Sequence, residues 1–566
     1  MSILASLASK SGDNEFHTPI PKSYIVGKTK YVFTFGTVMS GLGKGIFSSA
    51  LAKTIQDKGI KVTPIKCEGY LNMDSGTLNP FRHGEVFVLD DGMECDMDLG
   101  TYERFLDNNL TKDNYSTSGQ IFQQVLDKER NGEYLGRDAQ IIPHVTGEIK
   151  LKLRELAIKS KADIVFIEIG GTVGDFESLH FIEASRELAY EEGKENVVFI
   201  ALTYIIEPKT LGEQKSKAAQ LGIHKIIEHG IQPDIIACRA SSPVTDKIRE
   251  KISVYSNVPF ERIIGLHDLP SIYLIPDLIK KSKLDTHLLE MLNFTNKIDS
   301  TLEKKEIKKW NALINAIQNP KKELTIGITG KYTQIRDSYA SLIKALEHAS
   351  AFHEIKINIK WIDTSDLEKN PDKTKEELSD VSGIIVPGGF GTRGAEGKIE
   401  CIKYVREQNI PYLGLCYGFQ MAVLEFARNV CKIPNAQSTE LEESAKQKVI
   451  DILPEQKKIE GLGGNMRLGG KDVEVKKDTA AYKLYDNKTS IRERFRHRYE
   501  VNPEFIPKLE EKGLVFSGKA PKHPIMQILE LPTNKFHVGS QFHPEFTSRP
   551  LKPNPLFKGF IEACLK

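Results

Sequence analysis

The chain of 566 residues is long enough for two or three domains, each able to bury its own core. Its 40% hydrophobic and 27% charged content is ordinary for a soluble globular protein, and 78 basic against 76 acidic residues leave a formal charge of +2. So balanced a chain offers no field to nucleic acid or a membrane surface, and any anion must be held by local charge.

Residues 1–22 are too short and too poorly flanked for a signal peptide, and the sequence predicts a disordered extension there. The longest apolar runs, such as Val197–Leu202, fall far short of a membrane span. Seven scattered cysteines without a CxxC pair point away from zinc or dithiol work and toward a reducing, cytoplasmic setting.

The first strong pattern is Lys30–Gly45. Tyr31–Phe35 reads as a buried strand, Gly36 breaks it, Gly41, Gly43 and Gly45 surround Lys44, and a helical run from Ile46 follows to Gly59. Strand, glycine loop, lysine and helix are what a phosphate needs: bare N–H groups, a helix N-terminus and one ammonium. The match to the common P-loop is imperfect, because Val38 stands where glycine is wanted and Gly45 where a metal-binding hydroxyl is usual. Mg²⁺ must then find carboxylates elsewhere. Asp98 and Glu168 are the candidates, Glu168 closing the apolar strand Asp163–Ile169 near the phosphate loop.

Further strands are expected at Lys61–Ile65, Asn196–Leu202 and Asp234–Cys238, a pattern that predicts a parallel α/β sheet. Residues 281–322 turn lysine- and glutamate-rich and read as a charged helix and a linker. A second α/β pattern begins at Leu324–Thr329 and runs through Gly383–Pro387 and Pro411–Leu415 to a closing strand, Phe536–Phe542.

Gly414–Gly418 places Cys416 between an apolar strand and a helical run, a nucleophile elbow with cysteine in the serine's place. His543 and Glu545, at the end of the closing strand, fall on one side by period-2 geometry, so the carboxylate can orient the imidazole. Cys416, His543 and Glu545 form a triad for acyl transfer, with an oxyanion hole from Pro387–Gly391 and the Tyr417 backbone.

Residues 323–566 resemble the class I glutamine amidotransferase domain, whose triad releases ammonia from glutamine. The resemblance implies glutamine contacts at Gly389, Tyr417, Gly418, Phe419, Gln420, Glu440 and Arg498. The strings Ser40–Gly45, His83–Val88, Tyr102–Phe105, Glu168–Ser178, Gly212–Lys217 and Gly539–Thr547 are similar to the CTP synthase family, from about Tyr24 to the C-terminus. That similarity implies two doubly wound α/β domains: a P-loop-like synthetase over residues 23–290 and a flavodoxin-like amidotransferase over 323–566, joined by a linker at 291–322.

It also implies that UTP is phosphorylated on O4 by ATP and aminated at C4 to CTP, with GTP as activator and CTP as inhibitor. By the same resemblance Gly41, Leu42, Gly43, Lys44, Gly45, Ile46, His267, Asp268 and Leu269 hold ATP, and Lys44 and Lys66 stabilise the transferring phosphoryl. Ser40, Lys215, Ser216, Lys217, Ala218, Ala219, Gln220 and Lys251 bind UTP, while Asp175, Phe176 and Glu177 contact CTP. Asp98 and Glu168 bind Mg²⁺, and Gly391–Gly397 lies where GTP acts. His83 falls where the family's ammonia channel meets the acceptor, or is a structural histidine. A homotetramer is implied, with filaments as a further assembly.

Departures include Glu68-Gly69 for the usual Asp-Pro, Ala218-Ala219 for Pro-Thr, and Tyr417 for a smaller aliphatic residue. A cobyrinate-type amide synthase is the competing enzyme reading, but an acid substrate has no need of the Lys215–Gln220 and Lys251 cations. A catalytically idle, filament-forming homologue is the non-enzymatic one, opposed by the retention of Cys416, His543, Glu545, Lys44 and Asp98.

Overall fold

The computed structural model describes residues 19–208, 210, 212–330, 336–452 and 466–566. The extension predicted over 1–22 therefore lies, up to residue 18, outside the described residues. The chain divides into two compact units, one of Met1–Thr77 with Thr101–Lys308, the other of Leu78–Gly100 with Lys309–Lys566. Among the described residues no helix is long and apolar enough to cross a membrane.

The first unit is built on a seven-stranded, all-parallel sheet. Its order is Tyr115–Thr117, Val62–Glu68, Ile164–Ile169, Lys30–Gly36, Val197–Tyr204, Ile235–Ala240 and Ile263–His267. The Lys30 strand lies at the centre, and its residues from Tyr31 to Gly36 are all buried, as a strand covered on both faces requires. Tyr31, Phe33 and Phe35 pack with Ile65, Ile167 and Phe199 on one face. The helix Lys44–Gln56 starts two residues earlier than the apolar pattern indicates, because Gly43 at φ +81 makes the turn that opens it. Gly59, at φ +85, stands beyond its end.

In the second unit a nine-stranded sheet has a parallel half and an antiparallel half. Lys322–Gly330, Ile355–Asp363, Gly383–Val386, Tyr412–Leu415 and His537–Ser540 run parallel. Met526–Glu530, Val515–Lys519, Arg467–Val475 and Ser490–His497 continue antiparallel from the His537 strand. Alternate residues serve opposite faces: Ile384, Val386 and Tyr412 enter one core, while Ile385, Leu413 and Leu415 enter the other. The charged segment over 281–322 contains a helix, Ser300–Gln318, with Trp310 and Leu313 as its buried residues.

Residues 78–100 belong with this second unit for reasons of packing. Their hairpin, Val86–Val88 with Glu94–Asp96, meets the Ser490–His497 strand. Arg492 binds Asp90, Arg496 binds Glu94 at 2.7 Å, and the buried Arg494 reaches the Val88 carbonyl. Phe87 meets Phe546 edge-on at 5.0 Å.

Packing is tight at Gly418, where an added Cβ would overlap the Val386 carbonyl oxygen. Gly418→Ala should therefore lower unfolding free energy by about 1–3 kcal/mol, read by denaturant unfolding. An unchanged midpoint would contradict this account of the elbow.

Candidate active sites

In the first unit the ends of the central strands and the loops after them carry the chemistry-bearing residues. Lys44 begins its helix and donates to the Gly171 carbonyl at 2.8 Å, crossing Gly36 so closely that a Cβ there would lie 2.8 Å from its ammonium. Gly36 is thus required by the lysine's path. Val38 has φ +72, the left-handed backbone that a P-loop glycine would adopt freely. A β-branched residue there costs roughly 1–2 kcal/mol.

Gly41, Leu42, Gly43 and Ile46 share a cavity of about 140 Å³ with His267 and Leu269. Lys44, Gly45 and Asp268 do not line it; Asp268 pairs instead with Arg239, which does. Arg239 carried no signal in the sequence beyond its position at a strand's end.

Lys66, buried near the end of its strand, contacts Glu168 at 2.6 Å and Glu68 at 3.3 Å. Tyr102 also donates to Glu168, at 3.4 Å. A buried ion pair is costly to desolvate and gains little as a stabiliser. Asp98 falls outside this unit, in the 78–100 stretch, where it sits in the first turn of the helix Met97–Leu106 with its N–H on Asp96. No group of three or more His, Cys, Asp or Glu placed to hold a metal occurs among the described residues. Mg²⁺ retains much of its water and needs only one or two carboxylates, so a larger cluster is not required for it.

Lys215, Ser216, Lys217, Gln220 and Lys251 line a larger cavity of about 930 Å³, with Lys247 adding a cation and Glu207 and Glu213 adding acids. Ala219 is buried in the helix behind, and Ser40 and Ala218 do not line the cavity. Asp175, Phe176 and Glu177 lie outside it too. Phe176 is 88% exposed on a short 3₁₀ turn, while Asp175 accepts the Thr172 N–H. Gly69 lets the Glu177 backbone approach, since a Cβ there would come within 3.0 Å of it.

In the second unit Cys416 stands between the strand Tyr412–Leu415 and the helix Tyr417–Asn429 with φ +49 and ψ −94. Its N–H donates to the Ser540 carbonyl at 2.7 Å and its thiol to the Arg496 carbonyl at 3.6 Å. Cys416, His543, Glu545 and Gly389 line one cavity of about 110 Å³. Gly388 closes its wall: a Cβ there would lie 2.8 Å from His543 Cε1 and 3.8 Å from Cys416 Cβ.

His543 Nδ1 and Glu545 Oε1 are 2.7 Å apart. The route differs from the period-2 strand expected, because the strand ends at Ser540 and His543 caps a short helix, Pro544–Thr547. Pro544, with its fixed φ and missing N–H, suits a helix's first position and turns Glu545 back onto the ring. Thr547 donates to the buried Glu493, which also accepts from Tyr485 and Asn554, so the turn is held from behind.

Tyr417, Gly418, Phe419 and Gln420 form the buried first turn of the elbow helix, without lining the cavity. Gln420 donates to the Tyr499 carbonyl, and Glu440 accepts the Gly391 N–H at 2.8 Å. Arg498 is half-buried and His83 exposed, both outside the cavity. Two further residues belong to the site: Gln541, whose amide reaches the Cys416 sulfur at 3.7 Å, and Arg496, which lines the cavity. Gln541 lies in the Gly539–Thr547 string, yet neither residue bears a nucleophile or base to single it out.

Burial opposes charge on His543, but Glu545 and the neighbouring Cys416 outweigh it and hold the imidazole well above its ordinary 6.5. A group raised on folding stabilises fully below its unfolded value and loses that contribution as pH rises through the native one. Glu545→Gln should therefore cost more stability at pH 6 than at pH 10 in thermal unfolding. Equal costs at both would contradict the pairing.

Profiles for the CTP synthase N-terminus and for glutamine amidotransferase class-I match residues 30–294 and 334–563. The CTP synthase of Pyrococcus furiosus is 47% identical over 537 residues, 95% of this chain and 98% of the relative. That of Methanocaldococcus jannaschii is 46% identical over 541 residues, 95% and 98% of the two chains. Among solved structures, the glutaminase domain of Trypanosoma brucei CTPS with bound acivicin is 34% identical. It covers 43% of this chain and 94% of its own, with a TM-score of 0.41. With identity near one half over almost the whole length of its archaeal relatives, the chain belongs to the CTP synthase family of glutamine-hydrolysing ligases.

Proposed function

We propose that the chain makes CTP from UTP, ATP and glutamine, with the synthetase over residues 23–290 and the amidotransferase over 323–566. The observation carrying this reading is the Cys416 elbow opening into the same cavity as the His543–Glu545 pair. In the second unit the Cys416 sulfur attacks the side-chain carbonyl of glutamine, and His543 passes the thiol proton to the departing ammonia. Water then cleaves the thioester to glutamate, with His543 as base. Glu545 orients the imidazole, the Gly388–Gly389 segment and the Tyr417 N–H receive the oxyanion, and Gln420, Glu440 and Arg498 hold the amino acid.

In the first unit O4 of UTP attacks the γ-phosphorus of ATP, releasing ADP. Ammonia then adds to C4 and phosphate leaves, giving CTP. Lys44 and Lys66 stabilise the phosphoryl oxygens as charge redistributes. Gly41–Ile46 and His267–Leu269 hold ATP, while Ser40, Lys215–Gln220 and Lys251 bind UTP, the lysines matching its triphosphate. Asp98 and Glu168 would hold Mg²⁺, which when bound neutralises phosphate charge. Asp175–Glu177 forms a CTP inhibition site, GTP activates through Gly391–Gly397, and the enzyme is a cytoplasmic homotetramer able to form filaments.

Cys416→Ala should lower glutamine-supported CTP formation by roughly 10⁴-fold or more and leave formation from added ammonia intact. Lys66→Ala should lower CTP formation from both nitrogen sources by about 10²–10³-fold while glutamine hydrolysis persists. Loss of ammonia-supported synthesis in the first variant, or normal synthesis in the second, would overturn this division of labour.

A further inference from the structure

The helix that follows the nucleophile begins with a tyrosine whose hydroxyl reaches back over the active-site loop. Tyr417 is only 2% exposed, and its hydroxyl donates to the Gly391 carbonyl at 2.7 Å, across 26 residues of chain. The N–H of the same glycine is held by Glu440 at 2.8 Å, so Gly391, at φ +80, is fastened on both sides. Two residues earlier lies Gly389, beside Gly388, and both line the cavity with Cys416 and His543. Further along, the Gly394 N–H is taken by Glu368 at 2.8 Å. Burial, with Glu440 nearby, raises the Tyr417 phenol, so it remains a donor throughout the working range of pH.

A glycine loop is the most freely moving backbone available, and an oxyanion donor is effective only when its N–H is already aimed. We propose that Tyr417 is a positioning residue for amide hydrolysis: its hydroxyl clamps the Pro387–Gly391 loop so that a loop N–H stays directed at the carbonyl under attack. The inference rests on the reading of Cys416 as the glutaminase nucleophile. It goes further by making loop order a property built into this chain, which leaves less ordering for GTP to supply.

The test is Tyr417→Phe in the full-length enzyme, which keeps the ring and its packing and removes the donor. The readout is the ratio of glutamine-supported to ammonia-supported CTP formation, with and without GTP. Without GTP the ratio should fall about tenfold, the worth of one well-placed hydrogen bond, through kcat more than through KM for glutamine. GTP should recover part of the loss, so the activation factor rises. Tyr417→Leu, lacking both ring and donor, should lower the ratio at least as far. A Phe variant with the wild-type ratio and activation factor would overturn the clamp. An equal fall with both nitrogen sources would also overturn it, by marking a general loss of fold. Wild-type protein that fails to hydrolyse glutamine would instead remove the reading of Cys416 beneath it.

Discussion

Everything in the second unit turns on the backbone of one residue. Cys416 is held at φ +49, a conformation that a non-glycine side chain enters at a cost of about 1–3 kcal/mol. The fold maintains it from several directions. The Tyr412–Leu415 strand is locked between the Gly383 and His537 strands, and the Cys416 N–H is fixed on Ser540. Tyr412 donates to the Gly418 carbonyl at 2.9 Å, and Gly418 is pressed against Val386. Sheet register thereby becomes sulfur position. The thiol projects from a sharp corner into a small cavity whose other walls are the glycine loop and the imidazole.

The first unit solves a different problem with similar means. A parallel sheet gathers its strand ends at one edge, and here that edge carries Lys66 and Glu168 in adjacent register. Lys44 crosses a glycine on its way to Gly171, and Val38 accepts a left-handed backbone nearby. Such features oppose folding when considered alone. They become intelligible when the unit handles phosphate, because fixed cations and bare N–H groups then need no rearrangement during reaction.

Much of this was legible in the residues, and the exceptions have physical causes. The parallel strands were visible because strands buried on both faces are continuous apolar runs, and their observed bounds shift by only a few residues. Glycine spacing exposed the Cys416 elbow, since few sequences need so sharp a strand-to-helix turn. The hairpin at residues 86–96 was hidden: its strands are three residues long, and its partners Arg492 and Arg496 lie 402 residues away. Read locally, Asp90 and Glu94 belong to an acidic cluster; in the fold they are ion-paired to the second unit's edge strand. The antiparallel strands from Arg467 to Glu530 were equally faint, because polar residues interrupt them on the exposed face. The His543–Glu545 contact was anticipated through the wrong geometry, as Pro544 ends the strand and begins a helix.

The central claim is that one sulfur, set by a strained corner, attacks the glutamine amide. It is tested most directly by mixing the enzyme with glutamine, quenching within milliseconds in acid, and mapping the peptides by mass spectrometry. A glutamyl thioester on the peptide containing Cys416, and on none of the other six cysteines, is the result this account requires. Glutamine turnover with the acyl group on another cysteine, or with none trapped at any time, would contradict it.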